Sequence, residues 1–127
     1  MGGRGPFAAG RTVDYIYKTV GKIHDVKVLV GSGSKHALPE ESHSSKAYIK
    51  LRDSGTFHEM RIYDDNHEAL LDIAYHKEKN IDKTGKEVLH IHRYGPNFFR
   101  HPAEPITKEI YDKYSKFFIG VPKYDKW

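Results

Sequence analysis

Cysteine is absent from the 127 residues, tryptophan occurs once and methionine twice. Without thiols the chain can form no disulfide, offer no thiolate to a metal and carry no cysteine nucleophile, so its stability must come from packing. No apolar run approaches the roughly 18–20 residues of a helical membrane span. The opening Met1-Gly2-Gly3-Arg4-Gly5-Pro6 has no hydrophobic segment of the kind a secretion signal needs. A soluble chain that is not exported by that route is the expectation. Aromatic residues are plentiful, with 9 Tyr and 6 Phe, and supply enough buried area for the one core that a chain of this length holds.

The net charge is +4. All of the excess lies in residues 1–36, where Arg4, Arg11, Lys18, Lys22, Lys27 and Lys35 face only Asp14 and Asp25; the rest of the chain balances. No stretch is dense enough in Lys or Arg for a dedicated DNA-binding helix, although weak, salt-sensitive attraction to RNA or to an acidic protein face fits the balance. Gly31-Ser32-Gly33-Ser34-Lys35 lacks the spacing of a nucleotide-binding P-loop.

Residues 1–12, rich in Gly and basic, read as a flexible tail ahead of a single domain over residues 13–127. Val13 to Val20 fits a helix face and a strand equally well. Val26 to Val30 is β-branched and ends at the Gly-Ser run, which predicts a short strand and a turn; residues 35–45 read as a loop. The middle of the chain alternates apolar and polar residues through Ala47–Arg52, Phe57–Tyr63, Leu70–His76 and Glu87–Tyr94, with turn chemistry at Asp53-Ser54-Gly55 and Asp64-Asp65-Asn66. Beyond Pro102 and Pro105, Thr107 is placed to cap a helix whose apolar stripe is Ile110, Tyr111, Tyr114, Phe117 and Phe118, with Gly120 and Pro122 as its stop. The predicted fold class is therefore α+β: an antiparallel β-meander of about four strands with a C-terminal α-helix packed on one face.

Strand alternation sorts the polar residues. If Met60, Ile62, Leu71, Ile73, Leu89 and Ile91 meet the helix, then Glu59, Arg61, Tyr63, Asp72, His76, His90 and His92 gather on the opposite face. Two chemistries fit that set. As a metal-independent endoribonuclease, His90 and His92 would serve as acid–base pair, Arg61 would stabilise the phosphorane charge, and Tyr63 or Asp72 would support them. As a transition-metal site, His90 and His92 would be completed by Asp72 or His76. The default for such a face is neither, because one side of an antiparallel sheet is commonly solvated. His58 shares the parity of Met60 and Ile62 and reads as a core histidine; His24, His36, His43, His67 and His101 fall in loops.

The runs Val26-Lys27-Val28-Leu29-Val30-Gly31-Ser32-Gly33, Leu38-Pro39-Glu40-Glu41-Ser42-His43-Ser44, Arg61-Ile62-Tyr63-Asp64 and His90-Ile91-His92 resemble small uncharacterised proteins of phages and prophages of Gram-positive bacteria. The Tyr-Asp, Asp-Ile and His-x-His pattern is also similar to C-terminal segments of phage head-associated proteins and polymorphic toxins. Asn66-His67 departs from the pattern, which has Gly in that turn. The resemblance implies a phage- or prophage-encoded protein that acts by binding a virion component or a host factor. Its place would be the cytoplasm of the bacterial host or the virion. Toxin-type endoribonuclease is the alternative and metal-dependent hydrolase the third reading. No cofactor is required by the first two, and a transition metal only by the third. A protein partner of phage or host is expected, RNA is a further candidate, no membrane is involved, and exposed outer strands would permit a homodimer.

Overall fold

The structure, a computed structural model, describes residues 17–31, 38–42 and 44–124. The predicted tail, His36, His43 and Trp127 lie outside the described residues. The strands are β1 (Tyr17–Ile23), β2 (Val26–Gly31), β3 (Ala47–Leu51), β4 (Phe57–Tyr63), β5 (Ala69–Lys77), β6 (Glu87–Gly95), β7 (Phe99–Arg100) and β8 (Glu104–Pro105). They form one sheet in the order β1 to β7, with β8 also on β6. The helix α1 (Lys108–Tyr114) runs into a 3-10 turn, Ser115–Phe117.

This corrects the predicted fold class in two respects. The sheet has eight strands and is mixed, because β2 pairs with β3 in parallel while the other pairs are antiparallel. The helix has seven residues, none of them buried, so it is not the layer that covers the apolar face. That work falls mainly to Ile106, Phe117, Phe118 and Tyr124 on either side of it, with Ile110, Tyr111 and Tyr114 of the helix only partly buried at the margin, and the Phe57 and Phe118 ring centroids lie 4.9 Å apart. Fewer than two helical turns can present little apolar area, and aromatic residues are indifferent helix formers.

Local chemistry explains the parts. β1 and β2 are joined by His24 and Asp25, both at positive φ (47° and 70°), the pairing a two-residue hairpin turn demands. Thr107 caps α1 by accepting a bond from the Ile110 amide. Gly120 has φ 78°, and a Cβ there would overlap Thr56. Gly120→Ala therefore combines left-handed strain with a clash and is expected to cost roughly 2 kcal/mol in urea denaturation; an unchanged midpoint would contradict the close approach.

The sheet's two faces are built in register. Ile49, Met60, Ile73 and Ile91 form one cross-strand row of the core, each at most 1% exposed. On the other face Tyr48, Arg61, Asp72 and His92 form one row, and Lys50, Glu59, Ala74 and His90 the next. Residues 38–42 lie across this second face: Leu38 packs with Tyr48, Tyr63 and Tyr94, and Ser42 is tied to His67 of the β4–β5 turn. The face is not left in water. Arg61, Asp72, His90 and His92 are all buried.

Candidate metal centre on the polar sheet face

Arg61 and Asp72 are neighbours across β4 and β5 and form a bidentate pair at 2.6 and 3.1 Å. The remaining guanidinium donors go to the carbonyls of Leu38 and Pro39 and to the Tyr94 hydroxyl, so all five N–H groups of Arg61 are used. Tyr94 in turn donates to Asp72 at 2.7 Å. Burial alone would lower the Arg61 pKa; the hydrogen bonds and charge of Asp72 outweigh it and hold the group above its ordinary value. Burial and then the Asp72 charge push the Tyr94 hydroxyl up, and the same two causes raise Glu59. Tyr63, a supporting residue in the ribonuclease reading, donates to the Pro39 carbonyl. Arg61, Tyr63, Asp72 and Tyr94 thus form a closed network that pins residues 38–39 onto the sheet. Arg61 keeps no donor for a phosphoryl group, and the Asp72 carboxylate, expected among the metal ligands, is held by Arg61 and Tyr94.

The histidines behave differently. Four imidazoles run in edge contact across the face, His58 to His76 at 5.8 Å, His76 to His90 at 4.6 Å and His90 to His92 at 5.4 Å between centroids. His58 joins them because of a bulge: Lys50 pairs with Glu59 but Leu51 with Phe57, so His58 is the extra residue and turns to the polar side with Glu59. Its expected place in the core is corrected on that ground. Burial, then the Lys50 charge, lowers its pKa.

His90 is 0% exposed. Its Nδ1 donates to the Val88 carbonyl at 2.9 Å, which places the proton there and leaves Nε2 with a lone pair. That Nε2 is buried and has no hydrogen-bond partner. Burial brings the His90 pKa down to about 4, against the raising effect of the Val88 bond. His92 repeats the pattern, its Nδ1 donating to the His101 carbonyl at 2.9 Å. The third group is Glu78, just beyond β5. One ligand atom each from Glu78, His90 and His92 lie within 4.8 Å of one another. Tetrahedral Zn²⁺ at about 2.0–2.1 Å from each ligand holds the ligand atoms roughly 3.4 Å apart, so the three would have to draw together by up to about 1.4 Å on binding. His76, the other expected ligand, stands beside His90 with its Nδ1 on the Lys77 carbonyl and is not part of that group.

Glu78 was hidden in a polar loop; its only signal in sequence is an acid at the mouth of the strand facing His-x-His. Backbone carbonyls that fix both imidazole tautomers leave no trace in sequence at all. A cleft of about 720 Å³, lined by Tyr75, Val88, Leu89, Val121 and Tyr124, contains none of these residues. No helix of the described residues is long and apolar enough to cross a membrane. No protein family, curated protein or solved structure matches the chain.

Proposed function

We propose that the protein binds one divalent transition metal ion, zinc being the best match, through Glu78, His90 and His92, and uses it to activate water for hydrolysis. The observation that carries this reading is the Nε2 of His90, a buried acceptor with no partner beside a second imidazole of the same tautomer and a carboxylate. An unsatisfied polar atom is costly to bury, and a metal repays that cost. Both Nδ1–H groups donate to carbonyls, the arrangement that orients metal-bound histidines. Two imidazoles and one carboxylate suit zinc, and three protein ligands leave a position for water. Held by Glu78, His90 and His92, the ion would lower the pKa of a coordinated water toward neutrality and so would supply a nucleophile for hydrolysis of an ester or phosphoester.

A metal-independent use of the same histidines fits less well. With a pKa brought down to about 4 by burial, His90 is a neutral imidazole at neutral pH whose one ring proton is committed to the Val88 carbonyl, which suits it poorly to general acid work, and Arg61 is fully engaged. The protein-binding role implied by the phage resemblance has no particular residue to support it, and the same experiment bears on it.

Protein stripped with chelator and dialysed against zinc is expected to hold one ion per chain by elemental analysis. At a hundredfold excess over Kd, zinc should add about 2.7 kcal/mol of stability. Glu78→Gln and His92→Ala should each weaken binding at least tenfold, and hydrolysis of bis(p-nitrophenyl) phosphate should require the ion. Failure to take up zinc, manganese or iron, with no change in melting temperature, would return the question to protein binding.

A further inference from the structure

After β6 two consecutive residues adopt left-handed backbone, Asn97 and Phe98, each at φ 59°. For a bulky side chain this is an unfavourable conformation, held only where surrounding contacts enforce it. Here the Phe98 ring stacks on Tyr94 at 4.8 Å and lies 5.2 Å from the Arg61 guanidinium. The consequence falls on the next residue. Phe99, 59% exposed, stands out from β7 with its ring edge-on to His101 at 5.0 Å.

Arg100 follows it, its side chain 45% exposed. It forms an ion pair with Asp72 at 3.4 Å and shares with Arg61 a carboxylate of single charge, with Glu59 also within electrostatic reach. Arg93, paired with Glu104, adds no net charge. His101 connects this patch to the candidate metal centre, since its carbonyl holds the His92 ring. An exposed aromatic face, a half-exposed guanidinium shared with Asp72 and a carbonyl that holds the candidate ligand His92 therefore follow one another along one short segment.

We propose that single-stranded nucleic acid docks on this segment, one base stacked on Phe99 and an adjacent phosphate on Arg100. The metal-hydrolase reading then acquires its substrate class, a phosphodiester, and the present inference rests on that reading for its catalytic half. Splayed bases stack on protein aromatics without regard to sequence, and a guanidinium forks onto phosphate oxygens. A duplex has no free base face to offer. In the hydrolysis, the oxygen of a water molecule would bond to phosphorus, the bond from phosphorus to the leaving nucleotide oxygen would break, and that oxygen would take up the proton given up by the water; an ion held by Glu78, His90 and His92 would supply the activation.

The test uses the full chain, a fluorescein-labelled dT12 strand and its duplex, followed by anisotropy in EDTA at low salt. The single strand should bind at least tenfold more tightly than the duplex, and its affinity should fall steeply with added salt. Phe99→Ala should weaken binding tenfold or more and Phe99→Trp should restore it, with melting temperatures unchanged because the side chain is exposed; Arg100→Ala should weaken binding and flatten the salt dependence. With zinc restored, an RNA or DNA single strand should be cut, and Glu78→Gln should abolish cutting while leaving binding in EDTA intact. Equal binding of duplex and single strand, or a Phe99→Ala variant that binds like the parent, overturns the docking proposal even if zinc binds. Normal strand binding by a chain that takes up no metal overturns the hydrolase reading instead. An exposed ring that serves to dock a protein would give the first of these results.

Discussion

Asp72→Ala is expected to destabilise the protein by about 3–5 kcal/mol, because it strands the Arg61 guanidinium under Leu38 and Pro39 without the carboxylate that pairs with it. For a domain of this size that is a large share of the total stability. The effect belongs to the unpaired ion more than to the worth of the pair, so the double variant Arg61→Met/Asp72→Leu should recover much of the loss. Urea denaturation of parent, single and double variants measures this directly. The Asp72→Ala protein should also expose residues 38–42 to proteolysis, since Arg61 and Tyr63 are what hold the Leu38 and Pro39 carbonyls. A single variant within 1 kcal/mol of the parent would show that the pair is not buried as described.

Acidification of the metal-free protein should produce the second large effect. His90 has a folded pKa of about 4 and an ordinary value of 6.5. Above 6.5 it is neutral in both states and contributes no pH dependence. Between 6.5 and about 4 the unfolded chain takes up a proton that the folded protein refuses, so stability falls as pH falls, and below that range the term is flat. Allowing for screening, the loss is on the order of 2 kcal/mol. His58, also lowered by burial, adds in the same direction. Glu59 opposes it: a raised carboxyl pKa means the folded state binds its proton more tightly, so its contribution falls as pH rises from 4.5 through the folded value. The difference between parent and His90→Gln isolates the imidazole. Melting temperatures in chelator from pH 7.5 to 3.5 should show a steeper acid decline in the parent than in the variant, and parallel curves would deny that His90 is buried neutral.

Much of the central sheet could be read along the chain, because period-2 alternation is a local property. It placed Arg61, Tyr63, Asp72, His90 and His92 on one face and Met60, Ile73 and Ile91 on the other. It erred at His58, where one inserted residue reverses the parity, and a bulge carries no compositional mark. The β1–β2 hairpin was missed since its turn is His24-Asp25 in place of a glycine-bearing pair. The C-terminal stripe was correctly apolar but overestimated as helix, as the 3.6-residue spacing persists through Tyr114 while the aromatic rings beyond it reach the sheet by a tighter turn. His67, in the β4–β5 turn, stands at φ 67°, a region where glycine is the easier residue.

Composition and alternation by themselves determined that this chain has no thiol chemistry, a β-rich middle, and a polar strand face carrying two histidines, an arginine and an aspartate. Only the tertiary structure decided that this face is buried, that β2 and β3 run parallel, that Arg61 and Asp72 serve each other, and that Glu78 comes to stand beside His90 and His92. The difference is one of range. Side-chain direction along a strand follows from the backbone's two-residue repeat, whereas pairing, register and the route of residues 38–42 depend on contacts between segments whose separation the linear pattern does not encode.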